Sequence, residues 1–208
     1  MATYNQAIIE FAQAGLAALE TRSQSKNVVK TADAESHFLC NWMAQALKER
    51  RFSKLIAKEL SKWVRDGRSM GANAQLASLL QRISSQYQAA EENQAIGASL
   101  NAMLLELNDN NWLVIVDSEV TTKLKLDSNG QNSLVISDEQ YEGHIKGDNL
   151  SKSITLYVRS NEQELAQIAA KHGLLLSQGD KKASLIKHHK AYKLCPNNQQ
   201  AEMALLVS

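Results

Sequence analysis

A single proline, Pro196, stands in a chain of 208 residues, so nearly the whole length is free of the residue that most sharply interrupts helices. Long helices are therefore expected. The two cysteines, Cys40 and Cys195, form no C-x-x-C pair, so neither a disulfide framework nor a thiolate zinc site is suggested, and a reducing compartment is the simpler reading. No apolar run approaches the roughly 18 residues of a membrane span, and the best run is Trp112 to Val116. Met1 to Glu20 lack an early cationic stretch followed by an apolar segment, so no secretory signal is read and a cytoplasmic protein is expected. The net charge of +1 gives the molecule as a whole no pull toward nucleic acid or an acidic membrane, so any electrostatic function must come from local patches. Phosphate-cradling glycine loops, G-x-S-x-G and H-E-x-x-H are all missing, and no catalytic residue, metal ligand or cofactor is assigned.

What is present is the material of a core. Hydrophobic residues make up 44% of the chain and charged residues 22%, a globular balance. Ile8, Phe11, Ala12, Gly15 and Leu19 recur at three- and four-residue steps and predict a first helix over Thr3 to Glu20, followed by a polar loop from Thr21 to Lys30. Asp33 is a candidate cap for a second helix carrying Phe38, Leu39, Trp42, Met43, Ala46 and Leu47. Ser53 is a candidate cap for a third that runs to about Asp66 and stops at Gly67. Leu76, Leu79, Leu80, Ile83 and Tyr87, then Ile96, Leu100, Met103, Leu104 and Leu107, continue the same period. Five amphipathic helices predict a helical bundle over residues 1–108.

The pattern changes at Asn108-Asp109-Asn110-Asn111, four turn-favouring residues. Residues 112–208 read as a smaller α+β domain, so the fold class is α+β. Trp112 to Val116 predicts a strand, and Val120, Thr122, Leu124 and Leu126 predict another, joined through Asn129-Gly130 in a hairpin to Leu134, Val135 and Ile136. Ile154 to Leu176 reads as a β-α-β unit: Ile154, Leu156 and Val158 line one strand face, Asn161 and Glu164 form a capping box, Gly173 ends the helix, and Leu174 to Leu176 return as a strand. Ser184 to Leu194 stays open between a hairpin and a helical turn leading to a strand.

The sharpest feature runs from Lys48 to Arg68, where eight cations face only Glu49, Glu59 and Asp66. At about 100° per residue, Arg51, Lys54, Lys58, Lys62, Arg65 and Arg68 fall within about a third of a helix circumference, opposite Ile56, Leu60, Trp63 and Val64. Such a row can follow a nucleic-acid backbone and gain affinity by releasing counterions. The simpler reading, which the sequence favours, is the solvated face that any surface helix needs. A helix-turn-helix built on Lys54 to Arg65 and Asn73 to Ile83 is disfavoured, because the Gly67 to Gly71 turn is loose and the second helix has few base-reading donors.

Lys181, Lys182, Lys187, Lys190 and Lys193, with His188 and His189, make a second basic cluster, read either as a phosphate-binding edge or as lysines guarding an exposed strand edge. His188, His189 and Cys195 lack metal-ligand spacing. His37 and Cys40 share a helix side, but core residues surround them, which favours a buried cysteine over a nucleophile with its base.

Ser36-His37-Phe38-Leu39-Cys40-Asn41-Trp42-Met43, Leu47-Lys48-Glu49-Arg50-Arg51-Phe52 and Gly71-Ala72-Asn73-Ala74-Gln75-Leu76 resemble a family of marine gamma-proteobacterial proteins, domain of unknown function 2913. The resemblance covers most of the chain and implies a bacterial cytoplasmic origin. It carries over no catalytic or binding residue. Three functions remain in view: a non-enzymatic protein that binds an unknown protein partner or self-associates, a nucleic-acid-binding regulatory protein using the basic helical face, and an enzyme with a site between the halves. No membrane association is expected.

Overall fold

The computed structural model describes residues 2–25 and 29–208, so the predicted loop over residues 21–30 lies partly outside the described residues. The fold is α+β, with helices first and a smaller sheet-containing part after them. Two compact units, Met1–Gln88 and Ala89–Ser208, divide the chain. This packing division falls earlier than the helix-to-strand switch at Asn108 to Asn111.

The first unit is helical. Helix α1 (Tyr4–Ser23) opens on a capping box in which Thr3 and Gln6 satisfy each other's backbone donors. Helix α2 (Ala32–Lys48) is capped by Thr31 rather than Asp33, and Asp33 lies instead in the first turn, where a carboxylate suits the helix dipole. Ser53 caps a single 3-10 turn, Lys54–Ile56, that leads directly into α3 (Ala57–Met70). The expected stop at Gly67 does not occur. Gly67 is buried inside α3, where a Cβ would stand 3.0 Å from Cys40 Cβ and 3.0 Å from Leu76 Cδ1. The glycine serves close packing, and α3 ends at Gly71, whose φ of +55° few other residues tolerate. A 3-10 turn, Gly71–Ala74, then leads to α4 (Leu76–Glu91). Phe11 centres the core, with ring centroids 5.1 Å from Phe52, 5.4 Å from Trp42 and 5.6 Å from Trp63.

The second unit layers helices on a sheet. Helix α5 (Ile96–Asp109) is followed by β1 (Leu113–Ser118), β2 (Ser133–Ser137), α6 (Asp138–His144), the short pair β3 (Ile145–Lys146) and β4 (Asn149–Leu150), β5 (Ile154–Arg159), α7 (Glu162–Lys171) and β6 (Lys190–Leu194). The four-stranded sheet has the order β1-β2-β5-β6, with β1 and β2 parallel and the other pairs antiparallel. Alternation along the strands gives it two apolar faces. Leu134, Ile136, Ile154, Leu156, Val158 and Leu194 meet α5 and α7 on one side. Val135, Tyr157 and Ala191 meet Val120, Leu126 and Ile186 on the other.

The predicted hairpin at Asn129-Gly130 is therefore corrected. The turn exists, with φ of +48° and +85° at the two residues. It ends a helix-free crossover between two parallel strands, because Val120 and Leu126 are needed to cover the second sheet face and cannot also build a strand beside β2. The β-α-β reading holds for β5 and α7, but its returning limb is reduced to isolated bridges from Leu176 to Leu194 and from Ser177 to Ala204. Asn161 caps α7 as expected, accepting from the Gln163 amide at 2.8 Å. Glu164 does not complete a capping box. Its carboxylate accepts from Trp112 Nε1 at 3.1 Å and from Asn132 Nδ2 at 3.0 Å, tying the start of α7 to the segments ahead of β1 and β2.

Candidate nucleic-acid interface

Helix α3 positions the cationic row as its periodicity requires. Ile56, Leu60, Trp63 and Val64 are buried, while Arg51, Lys54, Lys58, Lys62, Arg65 and Arg68 are all exposed. Lys58 to Arg68 cover about 15 Å of helix axis, and Lys54 extends the row from the preceding 3-10 turn. Ser61 and Ser69 fall within the same sector, where their hydroxyls donate to the Ala57 and Asp66 carbonyls at 2.7 and 3.2 Å. Beside the row, Leu47, Ser61, Val64, Arg65, Arg68 and Ser69 line a shallow groove of about 470 Å³.

Carboxylates answer only part of this charge. Arg51 lies before the 3-10 turn and is ion-paired to Glu49, with its guanidinium 5.9 Å from the Trp42 ring centroid. That hydrogen bond from Arg51, aided by one from Gln45, holds the Glu49 carboxyl below its ordinary range. Arg65 approaches Asp66 only to 4.0 Å and keeps 76% of its side chain exposed. Lys54, Lys58, Lys62 and Arg68 form no ion pair among the described residues. Four cations are therefore free and two are tethered, so the row can present charge to an external anion.

The other residues singled out by sequence behave differently. Cys40 is buried, its thiol donating to the Val64 carbonyl at 3.5 Å, whereas His37 is exposed beside Asn41. The two do not make a nucleophile and base. In the second basic cluster, Lys190 bonds to Glu162 at 2.8 Å, and Tyr192 donates to the same carboxylate oxygen at 2.9 Å. Burial raises the Glu162 carboxyl, but these two hydrogen bonds together with the charges of Lys190 and Lys181 outweigh it and leave the group below its ordinary range. The outer edge of β6 is bridged by Leu176 and Asp180, so the lysines there do not stand on an open strand edge.

His188 and His189 diverge. His188 is exposed, with φ of +67°. His189 is buried at 2% exposure, its Nδ1 donating to the Lys187 carbonyl at 3.0 Å and its Nε2 accepting from Ser133 Oγ at 2.9 Å. Desolvation favours the neutral ring and, outweighing the Lys187 carbonyl bond, pushes its pKa below the ordinary 6.5. A depressed histidine stabilises the fold fully above the unfolded value and loses that contribution as pH falls through the folded one. The stability of residues 89–208 should accordingly decline as pH drops below about 6.5, and His189→Gln should flatten that decline in urea melts run across the acid range. A wild-type profile already flat there would refute the assignment.

An α+β protein with one exposed, largely unneutralised cationic helix is the class that fold and surface define. The family model described as protein of unknown function (DUF2913) matches residues 3–207, so the chain belongs to that family. No curated protein and no solved structure matches the chain significantly. Among the described residues, no helix is long and apolar enough to cross a membrane.

Proposed function

We propose that this chain is a non-enzymatic binding protein of the bacterial cytoplasm that engages a nucleic-acid backbone through α3. The observation that carries the reading is the set of Lys58, Lys62 and Arg68 on α3 and Lys54 on the 3-10 turn leading into it, all exposed with no carboxylate partner among the described residues. Two free cysteines support a reducing location. Contacts of this type go to phosphate and sugar, so they position the protein and carry little base preference.

Fluorescence anisotropy with a labelled duplex over a salt series is the test. With four to five phosphates neutralised, log affinity should fall against log salt with a slope of about −4, a loss of roughly 250-fold between about 50 and 200 mM. Binding that ignores salt, or no binding at the low-salt end, removes the proposal.

A second reading, self-association or capture of a protein partner, is favoured by Leu55 and Met70, large apolar side chains each 51% exposed near the two ends of the row. Light scattering on the purified chain separates self-association from a monomer.

A further inference from the structure

A second cationic concentration lies wholly within the unit Ala89–Ser208, where the β1-β2 crossover meets the segment ahead of β6. Lys123, Lys125, Lys181, Lys187 and His188 line a cavity of about 550 Å³, a volume within the ordinary range for small-molecule sites. No carboxylate lines it. None of those four lysines forms an ion pair among the described residues. Of the nearby acids, Glu162 is held by Lys190 and Tyr192, with Lys181 adding to the positive charge around it, and Asp180 accepts from the Lys182 amide at 2.8 Å.

The cavity rests on fixed backbone. Leu124 N donates to Leu185 O at 2.8 Å and Lys187 N donates to Leu124 O at 2.9 Å, so the segments carrying Lys123, Lys125 and Lys187 are held in register. His189 also lines the cavity and is held in place by Ser133 Oγ and the Lys187 carbonyl. Like charges held together this way repel one another unless an anion answers them. Leu124, 40% exposed, with Leu185 and Ile186, gives the same cavity an apolar wall. His188, at φ +67°, places its exposed ring on the same cavity.

We propose that this cavity binds a small organic polyphosphate, its phosphoryl groups on the lysines and His188 and its uncharged part on Leu124. Several cations call for several negative charges on one ligand, and lysine meets phosphate as a point charge without the planar fork that carboxylates favour. The apolar wall distinguishes an organic polyphosphate from an inorganic one. The site is independent of the α3 row.

Calorimetry on the full chain at about 150 mM salt, with adenosine triphosphate, tripolyphosphate and adenosine as probes, tests this. Adenosine triphosphate should bind saturably at one site, tripolyphosphate about tenfold more weakly, and adenosine not measurably. Lys123→Ala, Lys125→Ala and Lys187→Ala together should weaken nucleotide binding at least about 100-fold. All three side chains are exposed, so the fold should persist by circular dichroism. Reversing Lys54, Lys58 and Lys62 should leave nucleotide binding unchanged, which keeps a failure of the α3 reading separate from a failure here. Absence of saturable heat up to millimolar nucleotide overturns the proposal. So does undiminished binding in the cavity variant, loss of binding in the α3 variant, or equal affinity for nucleotide and tripolyphosphate.

Discussion

Replacing Asn198 with alanine should destabilise the unit Ala89–Ser208 by about 2–4 kcal/mol, a large effect for a single substitution. Asn198 is fully buried, and its side-chain amide donates to Ala90 O at 2.9 Å and to Gly173 O at 2.8 Å while its Oδ1 accepts from Leu175 N at 3.0 Å. One side chain thus joins the C-terminal 3-10 turn to the end of α4 and to the segment after α7. Gly173 O also accepts from Asn93 Nδ2 at 3.1 Å and Ala90 O from Asn93 N at 3.3 Å, so alanine would orphan chiefly Leu175 N. Each orphaned group costs roughly 1–3 kcal/mol. The backbone adds to this, because Asn198 sits at φ +53°, where asparagine is tolerated far better than alanine. Thermal unfolding followed by circular dichroism should show the midpoint falling by on the order of 10 °C. Asn198→Asp should be no milder, since it keeps the acceptor for Leu175 but turns a charge toward two carbonyls. An alanine variant melting with the parent would show that the turn carries no load.

That side chain also marks where sequence reading stops. Local signals were legible because they act over a few residues: the heptad-like spacing in α1 to α5, the alternation in β5 and the Asn161 cap all report the element that contains them. The spacing of Ile96, Leu100, Met103, Leu104 and Leu107 announces a helix with one buried face, but not what that face meets. In the fold it meets Leu134, Leu156 and Leu165 rather than another bundle helix alone. Glu164 stood at capping-box spacing, yet Trp112 and Asn132 compete for its carboxylate from far along the chain. Asn129-Gly130 marked a real turn, but strand partners are chosen by which sheet face needs cover. These outcomes depend on contacts between distant segments, which no window of sequence contains.

The two basic surfaces divide along the same line. The α3 row could be read directly, because a helical period places Lys58, Lys62, Arg65 and Arg68 together whatever surrounds them. Its neutralisation could not, since Arg51 bonding to Glu49 depends on the turn at Arg50, whose φ is +53°. Of the second cluster, sequence showed Lys181, Lys187 and His188 but not Lys123 and Lys125, which join them only through the bridge from Leu124 to Ile186. The same packing removes Lys190, which Glu162 engages.

Reversing Lys54, Lys58 and Lys62 to glutamate should weaken duplex binding by at least about 100-fold and flatten its salt slope from about −4 toward −1. Each lysine that contacts a phosphate contributes roughly 0.9 to the slope, and a glutamate in its place adds repulsion that free lysines do not replace. The fold should withstand the change. All three side chains are exposed and form no ion pair among the described residues. Lys54 and Lys58 flank the start of α3, where carboxylates suit the helix dipole better than ammonium groups do. Lysine already repels lysine at these four-residue steps, so glutamate facing glutamate exchanges one repulsion for another of similar size. A glutamate at position 62 also gains Arg65 three residues on. Stability should therefore stay within about 1 kcal/mol of the parent in denaturant melts, and a lost interaction can be assigned to the surface rather than to unfolding. Alanine at the same three positions should fall between parent and reversal in both affinity and slope, because it removes attraction without adding repulsion. If the reversed protein holds duplex as tightly as the parent, the row on α3 is a solvated face and nothing more.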